Sequence, residues 1–331
     1  MSMTSMRNSI YKYGLIVLFV LIVLFFIVAL PAFGTLQNLY VVLQSVAVTA
    51  IVALGVTVSM TAGGFDLAVG SVVSLSVMVV AAAQIYYGLG VFYALALGLL
   101  SGLLVGFTSG ALIVYARIPD MLATLGSMFV YSGLSLILTA GKSVSTGNGY
   151  NGQNARGTWD ARLLWIGGGS VLGVPVSIVL AALTTLVVVL FLGKTRTGRI
   201  LEAIGNNPRA ARLAGVRVGR YRILAYAISG LLAALGGVVL VARVGRGDIN
   251  VGSSYLLEAV AATLIGYAVL GANRPNPVGT VVGALFVGVV VNGLTMFNVP
   301  YFTQDFIKGI LLVVALIVSF SKIFNTHHQE E

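Results

Sequence analysis

The sequence predicts an all-α polytopic membrane protein of about ten transmembrane helices, some broken or short, with both termini on the cytoplasmic side. Three observations carry this. Only 8% of the 331 residues are charged, against about 25% in soluble domains, too few to cover a water-facing surface of this size. Hydrophobic residues make up 58% and gather into membrane-length runs that recur from one end of the chain to the other. When ten crossings are assigned to alternating sides, thirteen of the 19 Lys and Arg fall on the side of the N-terminus. The positive-inside bias marks that side as cytoplasmic. The net charge of +10 is thereby explained by topology, without nucleic acid as a partner.

Residues 1–13 form a polar cytoplasmic segment, and 14–320 a single transmembrane domain. The first run, Gly14–Leu30, ends at Pro31. It is longer than the roughly 7–15 apolar residues of a signal peptide and is followed by more spans, so it reads as a retained helix. The second run, Leu39–Met60, breaks at TAGGFDLAVG (61–70) before a third, Ser71–Tyr86. A fourth, Leu89–Tyr115, stops at Arg117-Ile118-Pro119-Asp120, and the fifth is Met121–Ala140. Residues 141–175 are a long, Gly-rich periplasmic loop that holds both tryptophans, Trp159 and Trp165. Tryptophan favours the membrane–water boundary, which places this loop against the bilayer surface. Six residues apart, the two rings do not share a helical face and predict no amphipathic helix.

The sixth run is Val176–Gly193, and a basic stretch, 194–222, follows it. Beyond lie Ile223–Val241, with the small-residue face SGLLAALGG, then Tyr255–Leu270, Gly279–Met296, Phe306–Phe320 and a polar cytoplasmic tail, 321–331. The third, eighth and tenth runs fall short of the roughly 20 residues a span needs, and read as broken or re-entrant candidates. Val69-Gly70-Ser71-Val72-Val73 and Val278-Gly279-Thr280-Val281-Val282 open the third and ninth runs in similar words. Either an internal repeat or a Val- and Gly-rich composition produces that.

Catalysis has little to work with. There is no cysteine, and the only histidines, His327 and His328, lie in the tail, which argues against thiol chemistry and metal ligation alike. No GxxxxGK[ST] phosphate loop occurs, so ATP is bound elsewhere if it is used. Asp66, among Gly63, Gly64, Gly70 and Ser71, is either a gate or pathway element or a cap on the third helix. Glu258 is either a pathway residue or a packing residue near the outer interface. Asn292 and Gln44 are polar residues in apolar runs, where hydrogen bonding between helices is the default and a pathway role the alternative. An ion-coupled secondary transporter would need more intramembrane coupling groups than these.

The basic stretch holds eight of the cations and one acid, Glu202. It reads as amphipathic around Glu202–Leu213, with Pro208 starting a helix and Asn206 or Asn207 as its cap. Lying on anionic lipid is one role for such a stretch. Its length and its apolar positions Ile200, Leu201, Ala203, Ile204 and Leu213 favour docking into a protein partner.

Three segments together resemble the permease subunits of ribose-type (monosaccharide) ABC importers, in the superfamily that also holds branched-chain amino-acid permeases. They are TAGGFDLAVGSVVSLS (61–76), TRTGRILEAIGNNPRAARLAGVRV (195–218) and ISGLLAALGGVVLVARVGRGDINVGSSYLLEAVAATLIG (228–266). With the order of spans, the resemblance covers about residues 40–320. It implies a coupling loop at Gly198, Arg199, Ala203, Ile204, Gly205, Asn207, Ala210, Ala211 and Gly215, with Glu202 and Asn206 inside it. It also implies no bound cofactor, an ATPase partner (often tandem-fused), a periplasmic solute-binding protein, a second permease copy or paralogue, and the bacterial inner membrane. Two stretches depart from the pattern. Asn206 stands where a second Gly is usual. Within 266–277, Tyr267 stands where a Gly is usual, and Asn273-Arg274-Pro275-Asn276-Pro277 stand where a second Gly cluster is usual.

Overall fold

The computed structural model describes the backbone of residues 3–147, 155, 157–268 and 274–327, and the side chains of 16–147, 155, 157–267 and 274–314. Residues 148–154 and 156 of the Gly-rich loop, and 269–273 of the departing stretch, lie outside the described residues.

In chain order the helices are α1 (Met3–Ala29), α2 (Leu36–Thr61), α3 (Val69–Ile85), α4 (Val91–Tyr115), α5 (Asp120–Leu138) and α6 (Ala161–Gly168). A two-residue hairpin follows, β1 (Ser170–Val171) with β2 (Val174–Pro175), then α7 (Val176–Lys194), α8 (Arg196–Asn206) and α9 (Pro208–Leu213). The chain continues through α10 (Val218–Val244), α11 (Val251–Ala268), α12 (Pro277–Met296) and α13 (Tyr301–His327). Over their described residues all ten apolar runs fall on helices; α6, α8 and α9 are the short additions. The tenth run is not short, because the flanking polar residues extend α13 to 27 residues. α3 and α11 stay short, at 17 and 18 residues, which is about 26 Å of rise each.

α3 is the centre of the bundle. Every residue of it except Val79 is buried, and α4, α5, α10 and α11 surround it. Such a helix shows no amphipathic stripe because every side chain meets another helix. α10 packs along α2, α3 and α4, and its small-residue face serves all three. Gly230 meets Gly102 of α4, Gly236 meets Val52 of α2, and Gly237 meets Val73 and Ser76 of α3. Without a hydrophobic drive between helices in lipid, close backbone approach of this kind supplies the attraction. α7 instead exposes Leu183, Leu186, Val187 and Leu190, a face suited to acyl chains.

The two short helices, α3 and α11, meet near their N-termini. Gly70 and Gly252 are in backbone contact there, and the Ser74 hydroxyl accepts the Gly252 N–H at 3.0 Å. Fourteen residues further along α11, Gly266 meets Gly279 at the start of α12. Each of the two similar Val-Gly starts thus grips one end of α11.

The Gly-rich loop differs from its expected form, since it contains the helix α6. The Asp160 carboxylate caps it by accepting the Arg162 N–H at 2.8 Å, and Leu163 and Gly167 face the protein interior. Trp165, on this helix, is half exposed, while Trp159 precedes it and packs on the core. The spacing of the two rings carries no signal of α6 because only one of them lies on it.

Candidate coupling and gating site

The Gly-Gly break after α2 is a helix terminator followed by a tethered turn. Gly63 adopts φ 74°, its N–H bonds to the Met60 carbonyl and the Gly64 N–H to that of Ser59. This is a Schellman ending, which favours glycine at the left-handed position. Beyond it, the Phe65 N–H donates to the Asp120 carboxylate at 2.8 Å, at the first turn of α5.

Asp66 is 1% exposed. One of its oxygens accepts the Ala68 N–H at 2.9 Å, and the other accepts the Ser229 hydroxyl of α10 at 2.7 Å. The carboxylate therefore both finishes the turn that starts α3 and ties α3 to α10. Ser71 donates to the Ala68 carbonyl at 2.8 Å within the same turn. Removing the carboxylate would strand two buried donors, each bonded to a charged group, an interaction of about 1.5–3 kcal/mol. Asp66→Leu is expected to lower the detergent unfolding midpoint sharply. Asp66→Asn, which keeps one acceptor oxygen, should lower it by less than half as much in the same thermal melt.

The basic stretch is not one amphipathic segment over 202–213. It is two helices broken at Asn207, because Asn207 takes an extended conformation (φ −155°, ψ 95°) and Pro208 has no N–H to continue α8. Asn207, not Asn206, is the cap, accepting the N–H groups of Arg209 and Ala210 at 3.1 and 3.0 Å. Thr195 caps α8 by accepting the Gly198 N–H at 3.0 Å. α8 is strongly two-faced. Gly198, Leu201 and Ile204 are buried against the bundle, while Arg196, Arg199, Ala203 and Asn206 are exposed. α9 adds Arg209, Ala210 and Arg212, with Leu213 90% exposed beside them. Ala211 is buried, and Gly215 turns the chain at φ 82°. The outer surface is therefore cationic with a small apolar centre.

The two motifs touch. A Cβ on Gly205 would overlap the Thr61 carbonyl oxygen, and one on Gly63 would stand 3.2 Å from the Gly205 Cα. The end of α8 rests directly on the backbone of the α2–α3 break. Gly64 lies against the buried Tyr226 ring of α10, and Arg222 donates to the Gly63 carbonyl at 3.4 Å. A cavity of about 570 Å³ opens beside this junction, walled by Phe65, Asp120, Glu202, Asn206, Tyr267 and Arg274 among others.

Glu258 and Asn292 are elsewhere. Glu258 packs inside the bundle: its side chain is 13% exposed, 3.0 Å from the Lys308 ammonium of α13, and accepts the Thr49 hydroxyl at 2.8 Å. Thr49 lies halfway along α2. Asn292 accepts from the Asn38 amide at 3.2 Å, joining α12 to α2. Asp120, Ser229, Tyr226, Lys308 and Thr49 were not singled out in the sequence. Asp120 alone had a local signal, as an acid directly after a helix-stopping proline.

The sequence profile of the family described as "Branched-chain amino acid transport system / permease component" matches residues 38–316. The chain belongs to that family. Ribose import permease protein RbsC of Escherichia coli K12 is 34% identical over 88% of each chain. RbsC of Bacillus subtilis 168 is 34% identical over 92% of this chain and 91% of its own. Autoinducer 2 import system permease protein LsrD of Photorhabdus laumondii is 28% identical over 97% and 93%. No solved structure matches the chain. This permease is a multi-pass, non-catalytic membrane subunit of an ABC transporter. ATPase and binding-protein partners follow in general terms from membership of such an import system.

Proposed function

We propose that this permease is the translocation subunit of an ATP-driven, binding-protein-dependent importer for a monosaccharide such as ribose, or a similar small polar solute. It sits in the bacterial cytoplasmic membrane with both termini and α8–α9 inside, which puts the α6 loop on the periplasmic side. The observation that carries this reading is the seating of Gly205 on the Thr61–Gly63 backbone. It gives a partner that grips α8 direct purchase on the start of α3, the buried central helix. ATPase domains, fused or separate, dock on the cationic face of α8 and α9. A periplasmic binding protein delivers solute, and a second permease, a copy or a relative, completes the pathway. Closure of the ATPases moves α8, and the break at 62–68 passes that movement to α3.

The names of the relatives support sugar as the solute class. The autoinducer furanose is the second reading, because the LsrD relative matches almost the whole chain. Mild extraction of this chain from its native membrane, with mass spectrometry of what accompanies it, tests the assembly. Recovery of an ATPase and a second permease is expected; their absence would overturn the importer reading. Elution of the ligand from the binding protein encoded beside them then separates ribose from the furanose.

A further inference from the structure

The stretch where the chain departs from its family pattern is tied to the coupling helix. Arg274, just before α12, approaches the Glu202 carboxylate of α8 at 2.7 Å. Both residues wall the cavity beside the α2–α3 break. Two residues on, Asn276 caps α12, its side chain accepting the Val278 N–H at 3.1 Å. The first turn of α12 is then pinned to α2 by the 2.7 Å contact of the Thr280 and Thr57 hydroxyls, and to α11 by Gly279 against Gly266. The guanidinium thus sits on a short link to a firmly held helix start, while its partner sits on the helix a docked ATPase would move.

We propose that Arg274 is a positioning residue that acts through Glu202. The pair is a latch holding α8 to the start of α12 in the resting state, and it opens during each transport cycle. This rests on the coupling reading given under Proposed function. The side chains are 68% and 42% exposed, and an ion pair this wet is weak. Weakness suits a contact broken and remade at every turnover, and it bounds the effect. The latch shifts the resting equilibrium by no more than about five-fold.

The chain contains no cysteine, so an engineered pair reports without background. Glu202→Cys with Arg274→Cys, expressed with the other transporter subunits, should cross-link on oxidation. Oxidation should then lower uptake of radiolabelled ribose at least about ten-fold relative to the same membranes reduced, and reductant should restore it. Full uptake in the cross-linked protein, or no cross-link at all, would overturn the latch. If the reduced pair transports too slowly to compare, Arg274→Gln decides. Solute-independent ATP hydrolysis by the purified complex should rise by two- to five-fold, and the reversed pair Glu202→Arg with Arg274→Glu should bring it back. An unchanged basal rate in Arg274→Gln, or no recovery in the reversed pair, sinks the proposal. Co-purification of the ATPase is followed in every variant. Its loss already from the unmodified chain would mean that the coupling reading has failed, whereas its retention confines a negative result to the latch.

Discussion

Gly205→Val is expected to lower solute uptake at least about five-fold while the chain still inserts in the membrane at normal levels. The reason is local. At Gly205 a Cβ already overlaps the Thr61 carbonyl oxygen, and valine adds two methyl groups to that overlap. Backbone cannot yield as a flexible side chain can, so α8 must lift from the break. Overpacking of this kind costs about 1–3 kcal/mol, and each 1.4 kcal/mol is a factor of ten in an equilibrium. The span-to-span packing does not include Gly205, and α8 joins the bundle core chiefly through Leu201, one turn away. Gly126→Ala on α5, where nothing lies within 4 Å of the added atom, is the control and should transport normally. Uptake of the radiolabelled solute, normalised to the chain's abundance in the membrane fraction, is the measurement. Normal uptake by Gly205→Val would mean that α8 does not work through this seat.

The second large effect concerns stability. Glu258 and Lys308 form an ion pair with side chains only 13% and 10% exposed. Breaking a buried pair by removing one member costs about 3–5 kcal/mol, chiefly because the other charge is left without compensation. The two single variants should differ. After Glu258→Leu, Lys308 keeps Asp305 at 3.5 Å, a half-exposed partner, so the cost falls near the lower end. After Lys308→Leu, Glu258 retains the neutral Thr49 hydroxyl, and the cost falls near the upper end. The double variant Glu258→Leu with Lys308→Met removes both charges and should recover more than half of the loss. Thermal melts in detergent give the order: double variant most stable of the three, Lys308→Leu least. Equal midpoints for the two single variants would show that Asp305 offers Lys308 no shelter.

Much of this protein is legible from its sequence because bilayers impose a simple rule. Every apolar run long enough to matter had to be helical, since lipid admits only helices and closed barrels and barrel strands are short and alternate in polarity; over their described residues all ten runs fall on helices. The break at Gly63-Gly64 was equally plain, as two glycines beside an acid cannot sit mid-helix in hydrocarbon without a purpose. The amphipathic character of the basic stretch was visible too. Its placement was not, because Asn206 and Asn207 are equally good caps by type, and only the extended backbone at Asn207 separates them.

Partnership is where sequence reasoning stopped. Asp66 and Ser229 are 163 residues apart in the chain, Thr49 and Glu258 209 apart, and no local pattern links them. Glu258 looked interfacial because an acid near the start of an apolar run is most cheaply placed in water. The α11 helix begins four residues earlier than that run and carries Glu258 inward to Lys308. Arg274 stood out as a departure, but its distance from Glu202 depends on how α8 folds back over the bundle. The sequence by itself determined the class, the helical character of the apolar runs and the two motifs, since burial in lipid and helix termination act through neighbours along the chain. The tertiary structure alone decided that α8 rests on the α2–α3 break, that α3 is the enclosed centre, and that the isolated charges are paired. Those contacts arise between helices, where small residues set how closely backbones approach and hence which side chains can reach one another.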